Sequence, residues 1–253
     1  MISWFLSDLH IKDVNDRQSN TLMQFLNQLQ SNPSNNQLFL VGDIFDFWVS
    51  NGEAFYQTFK PLVDQLKYLR EHGTKIFYFE GNHDFHIDVF WTKKMGIPVF
   101  ENDATFQVGS YKVRIEHGDF INSTDRAYLK YRKSMRKTWV EQAIHLVPGK
   151  AALFIGEKFS ALSRRKSAYY GRDNRDQIVQ MIRDYAKKTH QQSDFDLLVT
   201  GHMHVEDDFV FNTNTGTARS INLGTWLDRP KILKIDGDKV KMIYLTDKGD
   251  FTE

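Results

Sequence analysis

Asp8 and His10, one residue apart, offer a hard carboxylate oxygen and an imidazole nitrogen within one turn of loop, a pairing that suits a divalent cation. Four more motifs of the same character follow: Gly42-Asp43-Ile44-Phe45-Asp46, Gly81-Asn82-His83-Asp84, His117-Gly118-Asp119 and Gly201-His202-Met203-His204. An aspartate such as Asp43 can bridge two ions and offset their repulsion, Asn82 adds a neutral amide oxygen, and His202 and His204 can each serve a different ion. Five of the nine histidines lie in these motifs, and the chain has no cysteine. Any metal must therefore be held by nitrogen and oxygen, which favours manganese, iron or zinc over calcium. Two such ions ~3.5–4 Å apart stabilise the attacking and leaving oxygens of phosphoryl transfer and lower the pKa of bound water.

Taken singly, these residues have plainer explanations. Asp8 could be a turn residue, Gly81-Asn82 is a good turn signal, and an isolated His117 or His202 would be an ordinary polar residue at a sheet edge. Their shared position decides for chemistry, because each motif follows a short run read as a buried strand. The runs are Ile2 to Leu6, Leu38 to Val41, Ile76 to Phe79, residues 111–116 (paired with 104–108 across Gly109-Ser110) and Leu197 to Thr200. Helical patterns occupy residues 17–30 and 54–72, the second stopping at Gly73. Strand, helix, strand, helix, strand in that order argues for a parallel sheet whose strand ends carry the ligands. The tail, about 206–245, alternates short strands with Gly and Asp turns.

The chain of 253 residues, with a net charge of +1, is long enough for one large domain or for a domain with an insertion. Its start lacks the charged leader of a signal peptide, and no run approaches the ~20 apolar residues of a membrane span. A soluble, non-exported protein is the expectation. Residues 124–190 differ from the rest: they read as helical, broken near Pro148-Gly149 and Tyr170-Gly171. Between 126 and 175 there are thirteen Lys or Arg against three Asp or Glu. The expected division is a core of residues 1–123 and 191–253 with a helical cap over 124–190. Trp4, Trp91 and Trp226 are expected in the core, His72 at a helix end, and His86 could line the pocket.

Asp8-x-His10, Gly42-Asp43, Gly81-Asn82-His83-Asp84, His117 and Gly201-His202-x-His204 resemble, motif by motif, the calcineurin-like metallophosphoesterases. The resemblance implies an α/β fold, an αββα sandwich of two mixed sheets flanked by helices, here with a helical cap insertion. It implies a first ion on Asp8, His10 and His204, a second on Asn82, His117 and His202, and Asp43 as the bridge. It implies two divalent ions, manganese foremost. In the wider family the equivalent of His83 donates a proton to the leaving oxygen or binds phosphate, oriented by the equivalent of Asp84, a role suited to general acid catalysis.

Within that superfamily the chain is similar to the UDP-2,3-diacylglucosamine hydrolases of lipid A biosynthesis. The similarity lies in the aromatic stretch Phe45-Asp46-Phe47-Trp48 after Asp43, in His117-Gly118-Asp119 followed by Thr124-Asp125-Arg126-Ala127-Tyr128, and in the basic, apolar insertion. It implies pyrophosphate hydrolysis to UMP and 2,3-diacylglucosamine 1-phosphate in the cytoplasm, with peripheral contact at the inner membrane as an option. Asn82, His83, Asp125 and Tyr128 would face substrate. Arg132, Arg164, Arg165 or Lys166 could supply cations for the pyrophosphate, and Leu146, Val147, Leu153, Phe154 and Phe159 an apolar cleft for acyl chains. His83 departs from the arginine of the best-known branch.

Other readings are a general phosphodiesterase or phosphatase on soluble nucleotides or other phosphoesters, a non-catalytic scaffold, and a nucleic-acid binder. The complete set of seven ligand residues counts against the scaffold. The apolar residues among the cap's charges, and the near-neutral total, count against nucleic acid.

Overall fold

The structure, a computed structural model, describes residues 1–49, 52–147, 151, 174–246 and 251–252. The elements in order are β1 (Ile2–Leu6), α1 (Arg17–Leu29), β2 (Asn36–Val41), β3 (Trp48–Val49), α2 (Glu53–Thr58), α3 (Lys60–Glu71), β4 (Lys75–Phe79), β5 (Asp84–Phe85), β6 (Val99–Phe100), β7 (Ala104–Val108) and β8 (Tyr111–Ile115). They continue as α4 (Arg126–Met135), α5 (Thr138–Leu146), α6 (Arg175–Gln192), β9 (Leu197–Thr200), β10 (Glu206–Thr213), β11 (Gly216–Leu223), β12 (Lys231–Asp236), β13 (Lys239–Leu245) and β14 (Phe251–Thr252).

Seven strands form one sheet in the order β14-β13-β12-β1-β2-β4-β6, with β1, β2, β4 and β6 parallel and β12 antiparallel to β1. Five form a second sheet, β10-β11-β9-β8-β7, with β8, β9 and β11 parallel at its centre. Strand alternation explains why the sheets stack. In the first sheet Phe5, Phe39, Val41, Phe79, Leu233 and Ile235 face the second sheet's Val113, Ile115, Leu197, Val199, Ile221 and Leu223. The intervening Trp4, Leu6, Leu38, Leu40, Ile76 and Tyr78 turn the other way, onto Leu22, Phe25 and Leu26 of α1 and Leu62, Leu66 and Leu69 of α3. Both faces of the first sheet are thus covered, as its parallel centre requires. On the second sheet's outer face, Leu198, Phe211 and Ala218 pack with Ala186 of α6. The result is the expected sandwich of two mixed sheets between helical layers, with Trp4, Trp91 and Trp226 buried.

Two details differ from the sequence expectation. The helix expected over 54–72 is two helices meeting at Phe59, whose backbone leaves the helical region at φ −108°, ψ 21°. Pro61 has no N–H to give to the Gln57 carbonyl, so the first helix cannot run on through it. The boundary drawn at residue 190 falls inside α6, whose buried Ala186 packs on the second sheet and whose Ile182 packs with Ile121 and Val205. Within the rest of that span α4 and α5 are helical, and Ile144 and Val147 pack against the main core. Leu153, Phe154, Phe159, Arg164, Arg165 and Lys166 lie outside the described residues. Among the described residues no helix is long and apolar enough to cross a membrane.

Candidate metal centre

Five strands end at one edge, and the loop after each carries one motif: β1 leads to Asp8 and His10, β2 to Asp43, β4 to Asn82, β8 to His117, and β9 to His202 and His204. The loops are tied to each other. The amides of Asp8 and His10 donate to the carbonyls of Gly42 (3.2 Å) and Asp43 (3.0 Å), and Gly201 N donates to His117 O (2.8 Å). Among the described residues, six other than glycine have positive φ, between 51° and 66°: Asp8, His10, Asp43, His86, His202 and His204. Five of them are expected ligands. That conformation costs on the order of 1 kcal/mol or more per residue, and it persists here because the crossed loops over-determine it. Space is equally constrained at Gly42 (φ 78°), where a Cβ would stand 2.3 Å from His117 Nδ1.

Asp8, His10 and His204 bring one ligand atom each within 4.8 Å of one another. His10 Nε2 lies 3.1 Å from His204 Nε2, which in turn lies 3.1 Å from Asp8 Oδ1 without the alignment of a hydrogen bond. Two ligands at ~2.0–2.1 Å from one ion stand about 3 Å apart, so these spacings fit a shared cation. On the other side of Asp43, His117 Nε2 is buried without a hydrogen-bond partner, 3.6 Å from Asp43 Oδ2. Its Nδ1 donates to the Val41 carbonyl at 2.9 Å, which leaves Nε2 as the lone-pair nitrogen. His202 Nδ1 is 2.9 Å from Asn82 Oδ1. Asp43 stands between the groups: His10 Nε2 is 3.9 Å from its Oδ2, and its Oδ1 accepts the His83 amide at 2.9 Å. The buried, unpartnered Asp8 Oδ1 and His117 Nε2, and the nitrogen and oxygen donors around them, fit divalent ions.

Charges follow the same plan. Burial alone would lower the pKa of His117, but the charges of Asp43, Asp8 and Asp119 hold it well above its ordinary value. Burial alone would raise Asp43, yet His117, His83 and His10 hold it well below. Burial takes His10 down to about 4, so it is a neutral donor at pH 7.

Asp84 was expected to orient His83. Its Oδ1 instead accepts the amides of Gly81 (2.7 Å) and Asp43 (2.9 Å), and its Oδ2 accepts the Ile44 amide (2.9 Å) and the Tyr78 hydroxyl (2.7 Å). Both oxygens are committed to joining two ligand loops, and burial, with the Asp43 charge, pushes this carboxyl up to about 7. The His83 ring is fixed by its Nδ1, which donates to the Asp46 carbonyl at 2.7 Å.

Two further aspartates of the motifs stand among the candidate ligands. Asp119 joins His117 and His202 in a cluster of potential ligands, and Asp46 joins His10 and His83. The available signal was position: Asp119 follows His117 by two residues, and Asp46 follows Asp43 by three. Around Asp119 the structure collects Tyr128, whose hydroxyl donates to its Oδ1, and Arg132, whose Nε donates to its Oδ2 at 2.9 Å. The Tyr128 ring lies 5.3 Å from that of His202. Asp125 caps α4, accepting the Tyr128 amide at 2.9 Å. His86 Nε2 donates to the Met135 carbonyl (2.7 Å), tying α4 to the sheet edge, and His72 ends α3, bonding Tyr68 O through Nδ1 (2.7 Å).

A family profile described as calcineurin-like phosphoesterase matches residues 1–206. The chain belongs to the calcineurin-like phosphoesterase family. It is accordingly a hydrolase, of a family whose members use divalent metal ions. It is similar to the UDP-2,3-diacylglucosamine hydrolase of Histophilus somni strain 2336, 26% identical over 243 residues, which covers 95% of this chain and 99% of that protein. The UDP-2,3-diacylglucosamine hydrolase of Vibrio parahaemolyticus is 25% identical over 242 residues, covering 94% and 96%. Among solved structures, a novel archaeal phosphodiesterase is 13% identical, with a TM-score of 0.48, covering 97% of this chain and 100% of that one.

Proposed function

We propose that this phosphoesterase cleaves the pyrophosphate of UDP-2,3-diacylglucosamine, releasing UMP and 2,3-diacylglucosamine 1-phosphate, with manganese as the metal and iron or zinc as substitutes. The observation that carries the reading is the convergence of seven nitrogen and oxygen donors from five loops on one sheet edge, with Asp43 at the middle. Bound between these residues, two divalent ions would lower the pKa of a water and offset charge on the phosphoryl oxygens.

The chain's own residues do the remainder. Asp8, Asp43 and Asn82 set the position of the centre, and the crossed loops keep it from relaxing. His83, with Nδ1 bonded to the Asp46 carbonyl, presents Nε2 as the proton-carrying nitrogen for the leaving oxygen. Tyr128 and Arg132, held on Asp119 beside His202, would meet the substrate's second phosphate. Two features support a lipid-bearing substrate: the similarity to the two hydrolases along almost the whole chain, and the basic helix α4 followed by α5, on which Trp139 is 65% exposed. Contact with the cytoplasmic face of a membrane follows from that reading.

The test is UMP release from UDP-2,3-diacylglucosamine by the purified protein with added Mn²⁺, beside Asp43→Ala. Release that needs Asp43 and falls when the acyl chains are removed supports the proposal. Turnover of a simple phosphodiester that needs Asp43, with no UMP released, would leave a general phosphodiesterase, the reading His83 favours.

A further inference from the structure

Beside His204, on the side of the first ligand group, lies a cavity of about 380 Å³ formed by α6, β10, β12, β13 and the turn at Asp228. We propose that it is a subsite for the hydroxyl-bearing sugar of a sugar-phosphate substrate. The proposal rests on the phosphoester reading of the metal centre and is independent of the acyl chains.

The cavity's position is the first argument. His204 is both a wall of the cavity and a member of the first ligand group, with Nε2 3.1 Å from Asp8. A phosphoryl group held at the centre therefore puts one of its ester substituents at the cavity mouth.

Its chemistry is the second. At its floor Lys231, 8% exposed, donates to Glu206 Oε2 at 2.8 Å, and the Tyr244 hydroxyl donates to Glu206 Oε1 at 2.6 Å. At its rim stand Arg175 and Asp228, both exposed. Asp207 and Asp208, which also line it, are paired with Arg183 (2.8 Å) and Arg219 (2.6 Å). The walls are polar throughout, so an acyl chain gains nothing there. Of the two cations on its walls, Lys231 is already bonded to Glu206, so a second phosphate is disfavoured. Hydroxyls suit the walls: carboxylate lone pairs accept their protons, and ammonium, guanidinium and phenol groups donate to their oxygens. The volume lies within the range of small-ligand pockets and far exceeds that of a lone phosphate.

The two sources of such a group are the ribose of a nucleotide and a phosphorylated hexose. Calorimetric titration of the metal-loaded protein with UMP, glucosamine 1-phosphate and inorganic phosphate distinguishes them. At least one sugar phosphate should bind about tenfold more tightly than inorganic phosphate. The rim variant Arg175→Ala/Asp228→Ala should erase that margin while inorganic phosphate binds as before. A margin for UMP assigns the cavity to the nucleotide, and a margin for glucosamine 1-phosphate assigns it to the hexose. No margin in the parent protein, a margin that survives in the variant, or an equal loss for all three probes would overturn the proposal. UMP release from the lipid substrate is scored separately, so a margin without release sinks the lipid reading and leaves the subsite standing.

Discussion

His10 Nε2 and His204 Nε2 face each other at 3.1 Å although they are 194 residues apart in the chain. Two imidazole lone pairs at that distance repel unless a proton or a cation lies between them, and Asp8 Oδ1, 3.1 Å from His204, makes a third donor. His117 and His202 form a second group across Asp43. Substitutions should therefore act one ion at a time. His204→Ala should lower bound metal to about half of its parent stoichiometry, and His117→Ala should remove the other half. Elemental analysis of protein refolded with excess Mn²⁺ reads this directly, and a full metal complement in either variant would count against the division.

Acid should strip both groups, because a ligand must be deprotonated to bind. Without metal, His117 holds its proton unusually firmly, the surrounding carboxylates outweighing its burial. Falling pH therefore favours the protonated, metal-free form, and rising pH favours metal. Metal occupancy followed against pH should drop on acidification, and raising free Mn²⁺ tenfold should move the midpoint to lower pH. A midpoint indifferent to metal concentration would point to acid unfolding instead.

Arg136, at the end of α4, pairs with the buried Glu80 just after β4, and Glu80 also accepts the Ile87 amide at 3.0 Å. Burial raises the Glu80 pKa above its ordinary 4.5 despite this partner. A carboxyl raised in the folded state binds its proton more tightly there, so stability falls as pH rises through the interval above 4.5. Arg136→Met leaves the charge uncompensated and widens that interval. The expected cost is about 3–5 kcal/mol near pH 7, with partial recovery toward pH 5. Thermal unfolding at the two pH values measures it, and equal destabilisation at both would contradict the argument.

Much of this was legible beforehand because the strands are short and apolar and each ends in a motif. Ile2 to Leu6 could be read as buried from composition, and Asp8 and His10 inherit their place from it. The helical, basic character of the region holding α4 was also visible, whereas Asp125, read as facing substrate, caps that helix. What could not be read was pairing across the chain. Nothing local says that Asp84 joins Asp43 and Gly81, or that Asp119 gathers Tyr128 and Arg132. Phe59, where one expected helix becomes two, was masked by apolar periodicity that continues through it, although Pro61 was the available warning.

The role of Asp84 as a junction has its own consequence. Its carboxylate accepts three amides and the Tyr78 hydroxyl. Asp84→Ala strands those donors, at a cost of about 1–3 kcal/mol for each one left buried and unpaired. The variant should lose thermal stability and affinity for metal together. If Asp84 merely oriented His83, metal binding would be untouched and only the pH dependence of turnover would move.

His83 can be tested as a proton donor through the leaving group. Its Nδ1 is engaged by the Asp46 carbonyl, which fixes the tautomer and assigns any proton transfer to Nε2. An alkoxide or sugar phosphate leaving group needs that proton, and p-nitrophenolate, a weak base, does not. His83→Gln keeps a polar side chain of similar reach and removes the transferable proton. Turnover of an alkyl phosphodiester should fall by about 10²–10⁴, the usual range for one general acid. Turnover of bis(p-nitrophenyl) phosphate should fall by less than about tenfold. Equal losses on both substrates would instead show that the ring binds the phosphoryl group, as its 4.9 Å approach to the His10 ring would also permit.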